Sequence, residues 1–408
     1  MNFSKATTHA FSPANRFNPP LKPLLVCFSH LRWSFVWQRP QHLMTRAAHD
    51  YRVIFFEDPI FAPVPEPKLD LSHGPGAVTV AVPVLPEGLD AEAVNQARRS
   101  LLDELIEVMS APVTVAWYYT PMALEISEHL SPRICVYDCM DELSAFLGAP
   151  LPLRRREHEL FRRADVVFAG GRSLYEVKRG RHNNVHCFPS SIDAEHFRQA
   201  RVLTEAPADQ AAIPHPRIGF FGVMDERLDI QLLERLAEIR PAWQFVMIGP
   251  VVKIDPAALP RRSNIHWLGP KGYSDLPAYL SGWDAGFMPF AINAATRFIS
   301  PTKTPEFLAA GLPLVSTPIR DVVRSYGKSG LVEIAESVEE MAAKADILLT
   351  RPRPDWLERV DRQLSTTSWD ATWRGMNRQI HKLLTKEASW ERSAQNVQTA
   401  AASEVSGV

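Results

Sequence analysis

The sequence predicts an α/β protein with two doubly wound domains facing each other across a cleft. Three observations point there. The chain has 408 residues and a mass of 45.9 kDa, too long for one ordinary core when domains run roughly 100–200 residues. Short, continuous apolar runs alternate with amphipathic stretches almost throughout, the pattern of parallel strands covered on both faces by helices. That rhythm breaks once, at 197–215, where FRQARVLTEAPADQAAIPH is polar, rich in Ala and Pro, and lacks a strand.

In the first half the apolar runs are LLVCF (24–28), YRVIFF (51–56), VTVAWYY (113–119), ICVY (134–137), DVVFAG (165–170) and VHCF (185–188). Between them QHLMTRAAH, EAVNQARRSLLDELIEVM and LRRREHELFRRA carry apolar residues at helical spacing; in the last, Leu153, Leu160, Phe161 and Ala164 share one face. After the break, RIGFFG (217–222), QFVMIGP (244–250), IHWLG (265–269), DAGFMPF (284–290), PLVST (313–317) and LVEIA (331–335) read as strands. IQLLERLAEI, SDLPAYLSG, TPEFLAAG and VEEMAAKADILL read as the helices between them. SWDATWRGMNRQIHKLLTK is a long amphipathic helix.

The predicted organisation is a flexible tail at 1–23, a first domain at 24–196, a linker at 197–215 and a second domain at 216–365. A helix at 366–386 packs back on the first domain, and a disordered tail occupies 387–408.

Composition narrows the function classes. Lys+Arg 45 against Asp+Glu 46 leaves a net charge of −1, which argues against nucleic acid as a partner. No apolar run reaches the roughly 20 residues that span a bilayer, and the N-terminus has no apolar signal core. Cys27, Cys135, Cys139 and Cys187 form no Cys-x-x-Cys pair, and they read as free thiols in a reducing, cytoplasmic setting.

The most informative stretch is SPTKTPEFLAAGLPLVSTP (300–318). Thr304 reads as an N-cap with Pro305 in the first turn, and Gly311 ends the helix. Lys303 beside a helix N-terminus suits a phosphate, and Glu306 is an acceptor able to take two adjacent hydroxyls, such as those of a ribose. The plainer reading is a surface lysine and a glutamate that complements the helix dipole.

This stretch resembles the donor-binding motif of GT-B glycosyltransferases, particularly the retaining family four, or group 1, enzymes. FFG (220–222), FVMIGP (245–250), NIHWLGPKGYSDLPAYLSGWDAGFMPF (264–290) and VHCFPSSIDAEHF (185–197) resemble further segments of that family in order, so the likeness spans about residues 24–385. It implies two Rossmann-like domains and transfer of a sugar from a nucleotide diphosphate sugar, a UDP-sugar as first guess, to a polysaccharide or glycolipid acceptor. It also implies that Glu306 holds the ribose and that Ser300, Lys303 and the backbone at Leu268–Gly269 meet the nucleotide. No cofactor is implied beyond the nucleotide sugar.

The chain departs from the family pattern in three places. The first glutamate of Glu-x7-Glu is Phe298. Gly222 is followed by Val223 rather than Arg, which leaves Arg227 as a substitute for holding the diphosphate. The family's His-Asp is replaced by YDCMDELSAF, with Asp138 and Asp141 where the histidine would stand. Both are candidate catalytic groups with Lys303; the alternative for Asp141 is a helix cap.

Asp138-x-x-Asp141 is not read as a metal site, because the enzymes it resembles neutralise the diphosphate with cations and a helix dipole. The loop HLRWSFVWQRPQHL (30–43) is crowded with aromatics. His30, Trp33, Trp37 and Arg39 are the acceptor-binding candidates, since rings stack on sugar faces and Arg39 can reach a phosphate across the cleft. The bland reading is loop packing. Arg154-Arg155-Arg156 reads first as a solvated helix face and second as a contact for anionic lipid on the inner face of the plasma membrane. Two rivals remain: a nucleotide-sugar epimerase on the same scaffold, and a non-catalytic binding partner.

Overall fold

The computed structural model describes residues 21–405. The first sheet contains β1 (Leu24–Ser29), β2 (Arg52–Glu57), β3 (Ile60–Ala62), β4 (Lys68–Gly74), β5 (Val78–Pro86), β6 (Val113–Tyr118), β7 (Ile134–Cys139), β8 (Val166–Ala169) and β9 (Val185–Cys187). Its order is β3-β5-β2-β1-β6-β7-β8-β9, parallel except for β4, which pairs antiparallel with β5. The second contains β10 (Arg217–Phe221), β11 (Gln244–Ile248), β12 (Ile265–Gly269), β13 (Ala285–Met288), β14 (Leu314–Ser316) and β15 (Glu333–Ile334), all parallel, in the order β12-β11-β10-β13-β14-β15.

Both orders reverse direction beside their first strand, between β1 and β6 and between β10 and β13. Loops leaving the carboxyl ends of those strands diverge and open a crevice, where ligands of such sheets bind. The near-continuous burial of β1, β6, β10 and β13 follows from helices on both faces.

Four expectations need correction. β3, β4 and β5 lie where no strand was expected, because Pro83 and Pro86 argue against a strand and β4 is polar and exposed. The helix Pro354–Leu364 was likewise not expected, although Trp356, Val360 and Leu364 bury one face at i, i+4 spacing. The segment 197–215 is no free linker: Ile192 and Phe197 already sit in the second domain's core. Arg201 Nε also donates to Ala309 O at 2.7 Å, and its guanidinium reaches Asp361 at 2.9 Å.

The last correction concerns the C-terminus. The final helix runs Trp369–Val405, through the stretch from 387 expected to be disordered. Trp369, Trp373, Met376 and Ile380 join the first domain's core, and Trp373 Nε1 donates to Asp50 at 2.8 Å. Residues 1–20 of the expected N-terminal tail lie outside the described residues.

Polar contacts join the two domains. Asp321 accepts from Ser173 N at 3.1 Å and from its hydroxyl at 2.5 Å, and Arg324 pairs with Glu176 at 2.9 Å. All four cysteines are free, three of them buried. Among the described residues no helix is long and apolar enough to cross a membrane.

Candidate functional site

Gly222 and Gly249 end β10 and β11, and both adopt φ near +140° (144° and 140°). A Cβ on Gly249 would lie 1.9 Å from Gly222 O, so only glycine lets these two loops touch. That approach leaves room beside β10 for the helix Lys303–Ala309, whose first side chain points into the crevice. Thr304, expected as its N-cap, is instead inside the helix with Oγ1 against Met288 Sδ at 3.6 Å; Thr302 occupies the cap position without a side-chain bond.

The crevice holds three adjoining chambers. The middle one, about 120 Å³, is lined by Arg39, Asp141, Gly222, Arg227, Ser300 and Lys303. A second, about 320 Å³, lies between Trp33, Phe35 and Trp37 of the first domain and Gly249, Pro250 and Pro270–Tyr273 of the second. It shares Val36, Gly222 and Lys303 with the middle chamber. The third, about 540 Å³, is lined by His30, Asp58, Phe146, Leu153, Lys253 and neighbours. It shares Gln38, Met140, Asp141, Val223 and Arg227 with the middle one.

Lys303 Nζ sits 2.8 Å from Glu306 Oε2 and 4.7 Å from the Phe221 ring centroid. Burial pushes the Glu306 carboxyl above its usual range, and Lys303 opposes that rise. Glu306 is 4% exposed and lines none of the three chambers, and its carboxylate holds Lys303. Glu306→Gln is therefore expected to weaken UDP about 10- to 150-fold, as befits roughly 1.5–3 kcal/mol for a lost charged hydrogen bond, and to leave uridine almost unchanged. Calorimetric titration of both ligands checks this; equal losses would return Glu306 to the ribose.

Arg227 clasps Asp225 with Nε–Oδ1 at 2.9 Å and Nη2–Oδ2 at 2.7 Å, and its guanidinium carbon lies 5.3 Å from the Phe146 ring centroid. Asp225 was not foreseen, though Asp-x-Arg is its signal. Asp141, at the junction of the middle and third chambers, makes no side-chain hydrogen bond. Its carboxyl is pushed up to about 6 by burial, with Asp225 adding to the rise and Arg227 and Arg39 opposing it.

Asp138 is a correction: expected as a catalytic group, it is fully buried and lines no chamber. Arg39 Nε lies 3.2 and 3.0 Å from its two oxygens, and Arg39 Nη2 lies 2.8 Å from Oδ1. Arg39 Nη1 donates to Phe188 O at 2.9 Å. Asp138 thus positions Arg39, which edges the middle chamber instead of the third.

Among the acceptor candidates, His30 alone lines the third chamber. Its Nδ1 is buried without a partner, and burial lowers the ring to about 4, so it is neutral at pH 7; Asp58 opposes the drop and Lys253 reinforces it. Trp33 and Trp37 face the second chamber. Leu268 packs against the second core, and Gly269 O accepts from Gly249 N at 2.9 Å; the wall begins one residue later, at Pro270. Arg156 is tied to Glu159 at 2.8 Å and Glu125 at 3.4 Å, while Arg154 and Arg155 are exposed, Arg155 within 4.0 Å of Glu159.

Comparison with known proteins bears on the fold and on the second domain. Residues 215–351 match the family model Glycosyl transferases group 1. TuaH of Bacillus subtilis (strain 168), named for glycosyltransfer in teichuronic acid biosynthesis, is 28% identical over 238 residues, covering 53% of this chain and 59% of that protein. Among solved structures, the UDP-forming trehalose-phosphate synthase of Burkholderia xenovorans aligns with a TM-score of 0.64 at 13% identity, covering 89% of this chain and 100% of that one. The sucrose-phosphate synthase of Thermosynechococcus elongatus aligns at 0.65 and 13% identity, covering 90% and 100%. A trehalose-6-phosphate protein from E. coli, bound with UDP-2-fluoro glucose, aligns at 0.64 and 12%, covering 88% and 98%. The chain therefore has the GT-B fold, and its second domain matches the group 1 glycosyltransferase model.

Proposed function

We propose that this protein moves a sugar from a nucleoside diphosphate sugar, a UDP-sugar first, to a hydroxyl of a cell-envelope polysaccharide or glycolipid, with retention of configuration. The observation that carries the reading is the order of the three chambers. A nucleoside-sized space leads past Lys303 into a cationic space, and that leads past Asp141 and Arg227 into a separate acceptor-sized space. An epimerase has no use for the third chamber, which favours transfer over that rival.

Lys303, Arg227 and Ser300 would meet the diphosphate as its charge develops, and Arg39, fixed by Asp138, adds positive charge at the chamber edge. The diphosphate oxygen on the same sugar face can take the acceptor's proton, so no glycosidase-type carboxylate pair is required. Asp141 would accept a hydrogen bond from the incoming hydroxyl and orient it. The likeness to TuaH, named for teichuronic acid biosynthesis, supports an envelope polysaccharide acceptor.

The direct test is a panel of nucleotide sugars assayed for released nucleoside diphosphate, with UDP tested for thermal stabilisation. A ligand at 100 times its Kd adds about 2.7 kcal/mol. Neither release nor stabilisation by any nucleotide would sink the reading.

Asp141→Asn makes a second check. At pH 7 the wild-type carboxyl is ionised, and the variant should lose about 10- to 150-fold in turnover, the worth of a charged hydrogen bond, together with the acidic limb near pH 6. Stability should move the other way. A folded value of about 6 against about 3.9 unfolded means the folded state binds the proton more tightly. Wild-type stability from this group is then fully present below about pH 4 and lost as pH rises through about 6. Asp141→Asn should melt like wild type at pH 4 and higher at pH 7, by on the order of 2–3 kcal/mol. A Tm difference independent of pH would remove Asp141 from the junction.

A further inference from the structure

We propose that the aromatic loop Trp33–Trp37 of the first domain is the stacking wall for the donor's base, and that the Tyr273 hydroxyl closes the same chamber from the second domain. This rests on the nucleotide reading above. The chamber is built from both domains: Trp33, Phe35 and Trp37 on one side, Pro250, Gly272 and Tyr273 on the other. It opens onto Lys303, so whatever occupies it is joined to the phosphate chamber.

The wall is prepared before any ligand arrives. Trp33 N donates to Glu57 Oε1 at 2.7 Å, and its ring stands edge-on to Phe55 with centroids 5.0 Å apart. Trp37 Nε1 donates to His42 Nδ1 at 3.3 Å, and its ring lies 5.9 Å from Tyr273. Rings locked this way lose little freedom when a base stacks on them. Phe35, between them, is 48% exposed and has no ring partner among the described residues.

Tyr273 supplies the independent observation. Its ring is stacked on His196 at 4.2 Å and 11°, yet its hydroxyl is buried without a hydrogen-bond partner. A buried unpaired hydroxyl is costly, and this one belongs to a residue lining an open chamber. The hydroxyl is closed off in this structure, so a ligand polar group would satisfy it once the Tyr273 side chain turns toward the chamber. Glycines and prolines make up half of the rest of the second-domain wall, which leaves base edges largely to backbone groups and base faces to the aromatic loop.

The test titrates UDP and pyrophosphate, with ADP and GDP in parallel, against the full chain by calorimetry and tryptophan emission. Wild type should bind UDP with a change in emission that pyrophosphate does not produce. Phe35→Ala removes an exposed ring and should weaken UDP about 5- to 150-fold, the range for one stacked base, with pyrophosphate unchanged. Tyr273→Phe should raise the unliganded Tm while weakening UDP about five- to tenfold. UDP binding that is tight in wild type and unaltered in both variants overturns the proposal and leaves the nucleotide reading intact. An equal loss for pyrophosphate in both variants also overturns it. If wild type binds none of the nucleotides, the nucleotide reading fails, and the wall with it.

Discussion

Lys303→Ala is expected to cut turnover 10²- to 10³-fold while the protein stays folded. The lysine lines both the second and the middle chambers, and its side chain is held in place from two directions, by Glu306 at 2.8 Å and the Phe221 ring at 4.7 Å. A preorganised cation aimed at a leaving diphosphate gains strength as charge develops, and losing one such group costs about 2.7–4 kcal/mol in the transition state. Arg227 should matter less. Both cations are paired with a carboxylate, but Lys303 stands where the second and middle chambers join, whereas Arg227 lies on the side of the third. The two single variants, assayed for release of nucleoside diphosphate and for binding of UDP against uridine, separate these roles. Unchanged turnover in Lys303→Ala, or a loss that falls equally on uridine, would take the lysine out of the diphosphate site.

Much of this was legible because the apolar rhythm of the chain is strong. The runs around β1, β10 and β11 are buried and that of β12 is half-buried; all four are β-rich and bounded by turn residues, and their structural bounds match the pattern within a residue or two. Lys303, Arg227 and Asp141 could be named because they sit in or near recognisable motif positions. What the pattern could not show was direction. Asp138 and Asp141 are three residues apart, yet one lies on a strand with its carboxylate in the interior and the other beyond the strand end, in the crevice. Likewise Trp33 and Trp37 were assigned to the acceptor, because nothing in a sequence says which of two adjoining chambers a loop leans over. Tyr273 was passed over since its meaning depends on an unpaired hydroxyl that only packing reveals.

Asp138→Asn should be the most destabilising single change near the site. The carboxylate is fully buried, and burial raises its pKa while the Arg39 guanidinium opposes that rise. Arg39 is itself only 2% exposed, so the amide variant leaves a buried cation without its counter-charge. Breaking one side of such a pair costs about 3–5 kcal/mol, which for a two-domain chain should appear as a lower melting transition of the first domain. A lost activity in that variant alone would say nothing about chemistry. The double variant Arg39→Met with Asp138→Leu decides the matter, because replacing both charges by apolar groups of similar volume is often neutral or stabilising. It should restore the melting transition. Turnover should stay low, since the positive charge at the edge of the phosphate chamber has gone with Arg39. Recovery of both stability and turnover would reduce the pair to scaffolding. Recovery of stability alone would show that the pair serves turnover as well as the fold, with Arg39 the member at the chamber edge.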